Sequence, residues 1–318
     1  MGGIVDFDVT FPVSTIRVDD VHASSGVPVT DILRITHTKE FPALGEDERA
    51  WELALRAATT VLRRTPVPTA DIRKVIYAGS GEWDRPFWSP AAKIAHELGI
   101  DRAHCFEVAN FCNAGTTALQ VALKGIGPGE HALVLIGDRL SKMVDHTDPG
   151  SKDLFNFGDA SAALLLAADA PWMFRLLHSA MRTDGSWADY YAGHLEERGV
   201  TIRREERRKG LSEAYVTHFT ALLDETLTAI GRTVDDIAFF LINHGDQRMH
   251  RKLLDTIGLP AERSVFNYDR LAHMGGADTF IALRDLVDEE RLRTGDLVVL
   301  ATSAMGFSWG ITALEFHG

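Results

Sequence analysis

The 318-residue sequence predicts an α/β fold made of two related halves, and three observations predict it. Short apolar runs, β-branched in part and continuous rather than alternating, recur along the chain. Such runs mark strands covered on both faces. Amphipathic helical stretches separate them, and the same succession of elements is written twice.

The first copy begins with a helical stretch from Glu46 to Arg64 and a capped strand from Ala70 to Gly79. A second helix follows from Pro90 to Gly99. A strand-like run then ends near Val108, and a run of small and apolar residues with helical period begins after Cys112. Two further strands span Gly129 to Gly137 and Ser161 to Ala167. The second copy matches it: a helix from Ser212 to Gly231, a strand from Asp235 to His244, a helix from Asp246 to Gly258, and strands from Gly295 to Thr302 and Gly310 to Phe316. Asp71 pairs with Asp236 and Gly129 with Gly295 at a nearly constant offset, which implies a pseudo-twofold duplication divided as 1–170 and 171–318. The stretch from Met181 to Gly210 belongs to neither copy. It is polar and aromatic, then heavily charged from Glu196 to Lys209, and reads as a solvated helix face or loop, with a lid or docking segment as the second reading.

Bulk composition narrows the function. At 45% hydrophobic and 25% charged residues, the chain is of ordinary soluble type. A net charge of −12 argues against a nucleic-acid partner. No uninterrupted apolar stretch is long enough to span a membrane, and the start lacks the basic and apolar segments of a signal peptide. Cys105 and Cys112 match no zinc or redox spacing, so a reducing cytoplasm is the expected setting.

Cys112 is the first candidate for chemistry. A thiol at a strand-to-helix junction faces oriented backbone N–H groups that favour the thiolate, which is a nucleophile able to carry an acyl group. A free cysteine also serves as a small buried hydrophobe. A thiolate acyl carrier needs an imidazole partner, two N–H donors for the oxyanion and a group that activates the second substrate. His244 stands at the carboxyl end of its strand, where α/β sheets bind ligands, and is expected to meet Cys112 at the pseudo-twofold centre. His273 precedes a glycine pair and Asp278. Asp278, at a helix start, either caps the helix or orients an imidazole in a Cys-His-acid set. Gly306 follows a buried strand, and its N–H with that of Cys112 is the expected oxyanion hole.

Together these segments resemble the thiolase superfamily, specifically β-ketoacyl-ACP synthase III and its relatives, over essentially the whole chain. The Cys112 segment resembles that family's active-site segment. The run from Phe157 to Leu164 is similar to its Phe-Gly-Asp-Gly-Ala motif, and Asn243-His244 with the basic helix after it to its His-Gln-Ala-Asn-x-Arg motif. Gly306 to Gly310 is similar to its Phe-Thr-Trp-Gly ending. The resemblance implies a thiolase-like five-layered αβαβα fold, a homodimer, and ping-pong acyl transfer through Cys112 without a metal or redox cofactor. It places Phe87 where such enzymes send a residue across the dimer interface.

The chain departs from the pattern at the site. His273 occupies the position of the family's catalytic Asn, and Gly245-Asp246-Gln247 replaces Gln-Ala-Asn. The tryptophan that stacks on coenzyme A is absent between Val29 and Ile35, which favours an acyl carrier protein over acyl-CoA as donor. Gln247, Arg248, Arg251 and Lys252 form the expected substrate- or carrier-binding group, a basic patch on an acidic chain. The leading expectation is acyl transfer through Cys112 to a hydroxyl or amine of a small molecule in specialised, polyketide-type metabolism, with His244 taking the acceptor's proton. A decarboxylative 3-oxoacyl synthase using Cys112, His244 and His273, and a non-catalytic partner subunit, stand as alternatives.

Overall fold

The computed structural model describes residues 2–169, 171–197, 199–205 and 208–318. The first half runs β1 (Gly3–Thr10), β2 (Thr15–Arg17), α1 (Val18–Ser25), α2 (Val29–Thr36), β3 (Glu40–Pro42), α3 (Ala50–Arg64), β4 (Ile72–Gly79), α4 (Pro90–Glu97), β5 (His104–Ala109), α5 (Ala114–Leu123), β6 (His131–Gly137) and β7 (Ser161–Ala167). The second runs β8 (Phe174–Thr183), the hairpin β9 (Tyr191–Glu196) and β10 (Gly199–Arg204), α6 (Leu211–Ile230), β11 (Ile237–Ile242), α7 (Gln247–Ile257), α8 (Asp278–Asp288), β12 (Leu297–Ala304) and β13 (Ser308–Phe316).

Nine strands form one sheet in the order β11-β12-β13-β8-β1-β7-β6-β4-β5. The halves meet where β1 pairs antiparallel with β8, Ile4 opposite Phe174. Outward from that seam, β7-β6-β4 and β13-β12-β11 repeat the same succession. Among the described residues no strand beyond β11 answers to β5. β7 ends at Ala167 and β8 begins at Phe174, on either side of the division drawn at residue 170.

Alternate residues of each strand face different helices, which explains the continuous apolar runs. Ile76, Val134 and Leu164 of the first half face α5 and α8, as do Leu241, Val298 and Leu300 of the second. On the outer face of the first half, Val75, Leu133 and Leu165 pack on α3 and α4. On the outer face of the second, Phe240, Val299 and Ile311 pack on α6 and α7. The β1–β8 seam is only two residue pairs long, so each half of the sheet makes its own layer; with two outer helix layers and the shared α5–α8 layer these form the αβαβα stack.

The middle layer is tight. A Cβ at Gly115 of α5 would sit 2.6 Å from Ile136 Cδ1 and 3.2 Å from the Phe280 ring, so glycine permits this approach. Phe280 of α8 is fully buried. Phe280→Ala is expected to cost about 3–5 kcal/mol through the cavity it leaves, read as a fall in unfolding free energy by urea titration.

The charged run differs from expectation. It is neither helix nor irregular loop: Tyr191–Glu196 and Gly199–Arg204 pair as an antiparallel hairpin, while Arg198, Glu206 and Arg207 lie outside the described residues. Cross-strand pairs such as Arg203 with Glu196 place opposite charges on its exposed face.

Candidate active site

The carboxyl ends of β5 and β11 and the starts of α5 and α8 converge on Cys112. After β5, Asn110 donates its N–H to Gly79 O (3.1 Å), and a 3-10 turn over Phe111–Asn113 leads into α5. Phe111 carries φ +47°, a left-handed conformation that is strained for an aromatic residue. Cys112 in this turn is buried, with 8% of its surface exposed. Asn113 anchors the turn to the other half, donating its Nδ2 to Ser308 O (3.0 Å) and Ser308 Oγ (2.7 Å).

His273 is the imidazole that reaches the thiol. Its Nε2 lies 3.1 Å from Cys112 Sγ, and its Nδ1 lies 2.5 Å from Asp278 Oδ2. Its backbone is clamped from both sides: its N–H donates to Asn156 O (2.7 Å) and its carbonyl accepts from Gly158 N–H (2.9 Å). The Phe157 ring, 5.4 Å away edge-on, closes that flank. The Phe157 motif thus holds the histidine, a use that sequence reading did not assign to it.

Asp278 does not cap α8, whose N-cap position is Ala277 with no side-chain cap bond; its carboxylate serves the segments before the helix. At the first turn of α8 its Oδ1 accepts from Met274 N–H (2.8 Å), while Oδ2 accepts from His244 N–H (2.8 Å) and faces the His273 ring. Burial pushes its carboxyl up, but His273 first and the other partners after it hold it below its ordinary value. His273 is pulled down by burial, yet the charges of Cys112 and Asp278 and their hydrogen bonds outweigh this and raise it well above 6.5.

His244 does not meet Cys112, a correction to the expected pairing. Its ring is buried behind Asp278, with Nδ1 3.9 Å from Oδ1. Its Nε2 accepts the N–H of Asn267 (3.3 Å) and so faces protein backbone. Burial first, and the nearby His273 charge, lower its pKa, while Asp278 opposes them. Asp278 therefore hydrogen-bonds the ring of His273 and the main-chain N–H of His244, with the His244 ring held beside its charge at 3.9 Å.

A cavity of about 560 Å³ opens on Cys112 and His273. His244 is not among its lining residues; Asn156, Phe157, Tyr191, Tyr215, Ser303 and Phe307 are. Arg34, Arg204 and Arg248 also line it, Arg34 beside Asp31 (2.5 Å) and Arg204 paired with Asp153. Of the expected basic group, Arg248 alone faces the cavity. Arg251 stacks on Phe266 (4.6 Å), Lys252 donates to Ser212 Oγ (3.0 Å), and Gln247 opens α7 beside the Asp246 cap. Gly306 turns β12 into β13 at φ +102°, a left-handed conformation that favours glycine, flanked by the cavity residues Met305 and Phe307. Phe87 is fully exposed at φ +52°. Trp83 and Trp88 pack on Tyr77 (5.3 Å) and Trp51 (6.1 Å) rather than lining the cavity.

Comparison with known proteins agrees with this architecture. Residues 106–185 match the family described as 3-oxoacyl-[acyl-carrier-protein (ACP)] synthase III, and residues 227–316 match its C-terminal counterpart. The chain is 29% identical over 305 residues to a β-ketoacyl-[acyl-carrier-protein] synthase III of Sphingopyxis alaskensis, with 94% of each covered. A 3-oxoacyl-[acyl-carrier-protein] synthase III of Aquifex aeolicus superposes with a TM-score of 0.87 at 22% identity, covering 99% of this chain and 100% of that one. OleA of Xanthomonas campestris superposes with 0.85 at 18% identity, covering 99% and 98%. Among the described residues, no helix is long and apolar enough to cross a membrane. With the matched regions in both halves, the layered duplication and a buried cysteine at the centre, the chain belongs to the β-ketoacyl-ACP synthase III-like group of the thiolase superfamily, a family of acyl-transferring and condensing enzymes.

Proposed function

We propose that this chain is an acyltransferase that carries an acyl group on Cys112 and passes it to a hydroxyl or amine of a small molecule, with His273 as the proton carrier and Asp278 as its orienting carboxylate. The observation that carries this reading is the unbroken line Sγ–Nε2–Nδ1–Oδ2 at 3.1 and 2.5 Å. The thiolate of Cys112 attacks the donor thioester. The carrier's sulfur leaves and takes the proton from the His273 imidazolium. The acceptor then attacks the acyl-Cys112 carbonyl, gives its proton to His273 Nε2, and the Cys112 thiolate departs.

Acylation itself prepares the second step. The thiolate charge of Cys112 heads the influences that raise His273. Forming the thioester removes that charge, so the pKa of His273 falls, which favours the neutral imidazole that a general base must be, while Asp278 continues to raise it. A decarboxylating site needs two donors aimed at one thioester oxygen. Here the second imidazole, His244, faces backbone, which favours transfer to oxygen or nitrogen over carbon–carbon bond formation. The donor favoured by the site is an acyl carrier protein. The α2 segment offers the cavity Arg34 and Ile35, with His37 after them, but no tryptophan, and Arg248 supplies positive charge on a chain of net charge −12. The unpaired β5 edge, with Phe87 and Phe111 exposed, supports a homodimer.

The test is intact mass spectrometry after incubation with a panel of acyl carrier protein thioesters. The wild type should gain one acyl adduct and Cys112→Ala none. Normal turnover by Cys112→Ala would sink the mechanism, and CO2 released in step with turnover would favour the condensing reading.

A further inference from the structure

We infer that the Tyr215–Ser303 hydroxyl pair and the aromatic wall beside it form the acceptor subsite, and that the acceptor is a ring-bearing alcohol with a second polar group. This deepens the acyltransferase reading and rests on it.

Both hydroxyls belong to residues that line the same cavity as Cys112 and His273. Ser303 is fixed at the end of β12, its N–H donating to Asn243 Oδ1 (2.7 Å). Its Oγ donates to the Tyr215 hydroxyl (3.2 Å). The phenol proton is then left without a protein acceptor among the described residues. Burial pushes the Tyr215 pKa up to about 12, so the phenol stays neutral and keeps that proton to donate. The half-buried phenol can give that proton to a ligand oxygen placed in the cavity.

The wall beside the pair is aromatic. Phe307 lies 6.3 Å from Tyr191 and 6.2 Å from Tyr215, edge-on to the latter. Tyr190 (5.8 Å) and Trp309 (6.1 Å) back Phe307 from behind. Flat ring faces stack favourably on such walls. A ring against Phe307 and Tyr191, with a polar atom on Tyr215, leaves a second hydroxyl free to be presented to acyl-Cys112.

The test uses enzyme loaded from an acetyl thioester of N-acetylcysteamine, with acyl loss from Cys112 timed by intact mass in three probe alcohols. Relative to 1-phenyl-1,2-ethanediol, 2-phenylethanol should be slower by about tenfold because it lacks the second hydroxyl. Likewise 1,2-propanediol should be slower by about tenfold because it lacks the ring. Tyr215→Phe should erase the first difference and keep the second, while the loading of Cys112 changes by less than about twofold. Ser303→Ala should weaken the first difference, and thermal melts of both variants report folding. Equal rates for the three alcohols in the wild type, a preference for the diol that survives in Tyr215→Phe, or a matching loss of loading and transfer would each overturn the inference. Failure of wild-type Cys112 to load would instead remove the acyltransferase reading, and the subsite with it.

Discussion

His273→Ala should lower both loading of Cys112 and transfer from it by about 10²–10⁴-fold, the usual worth of a positioned acid–base group. His244→Ala should leave both steps within about tenfold of wild type while costing about 1–3 kcal/mol of stability, because the Asn267 N–H loses its acceptor inside the protein. The contrast follows from placement. His273 Nε2 is 3.1 Å from Sγ, whereas the His244 ring lies behind Asp278 and outside the cavity lining. Single-turnover intact mass gives the two rates, and urea titration gives the stability. If His244→Ala proved the more damaging to chemistry, the base would sit at 244 and the two-imidazole condensing mechanism would regain its ground.

The same pair shows how far the sequence could be read. The succession of helices and strands, its repetition on either side of the β1–β8 seam and the strand-to-helix junction at Cys112 were legible, because periodicity and turn residues are local signals. That His244 ends a strand was legible too. The direction its ring faces was not, because it is set by Asn267 N–H across the chain and by Asp278, which takes the backbone N–H of His244 rather than its side chain. Asp278 stood as either a cap or an orienter. Its carboxylate bonds none of the free N–H groups of α8; it accepts from Met274 N–H and His244 N–H upstream of the helix and faces the His273 ring. The hairpin from Tyr191 to Arg204 was missed because charged residues outnumber apolar ones on its exposed face. Tyr215 read as one more residue of an amphipathic helix. Its partner Ser303 stands on a distant strand, and only the packing of α6 against the sheet joins them.

Asp278→Asn should be nearly as damaging as losing His273, lowering transfer by about 10²–10⁴-fold. The carboxylate is surrounded by donors: Met274 N–H on Oδ1, His244 N–H and the His273 ring on Oδ2. An amide must turn its NH2 toward one of these donors whichever way it is flipped. If NH2 faces His273, the ring is driven to the tautomer whose proton sits on Nε2, and Nε2 can no longer accept a proton. If NH2 faces Met274, a buried donor pair is left unsatisfied. Stability should follow pH in a defined way. His273 is raised by the fold, so its share is fully present below about 6.5 and is lost as pH rises through its higher folded value. Asp278 is lowered by the fold, so its share is present above about 3.8 and is lost as pH falls through its lower folded value. The difference between wild type and Asp278→Asn should therefore be widest between those limits and shrink toward both ends. Urea midpoints across the pH range read it directly. A difference that stayed constant would mean that the charge of Asp278 contributes nothing to the fold, and that His273 draws nothing from it.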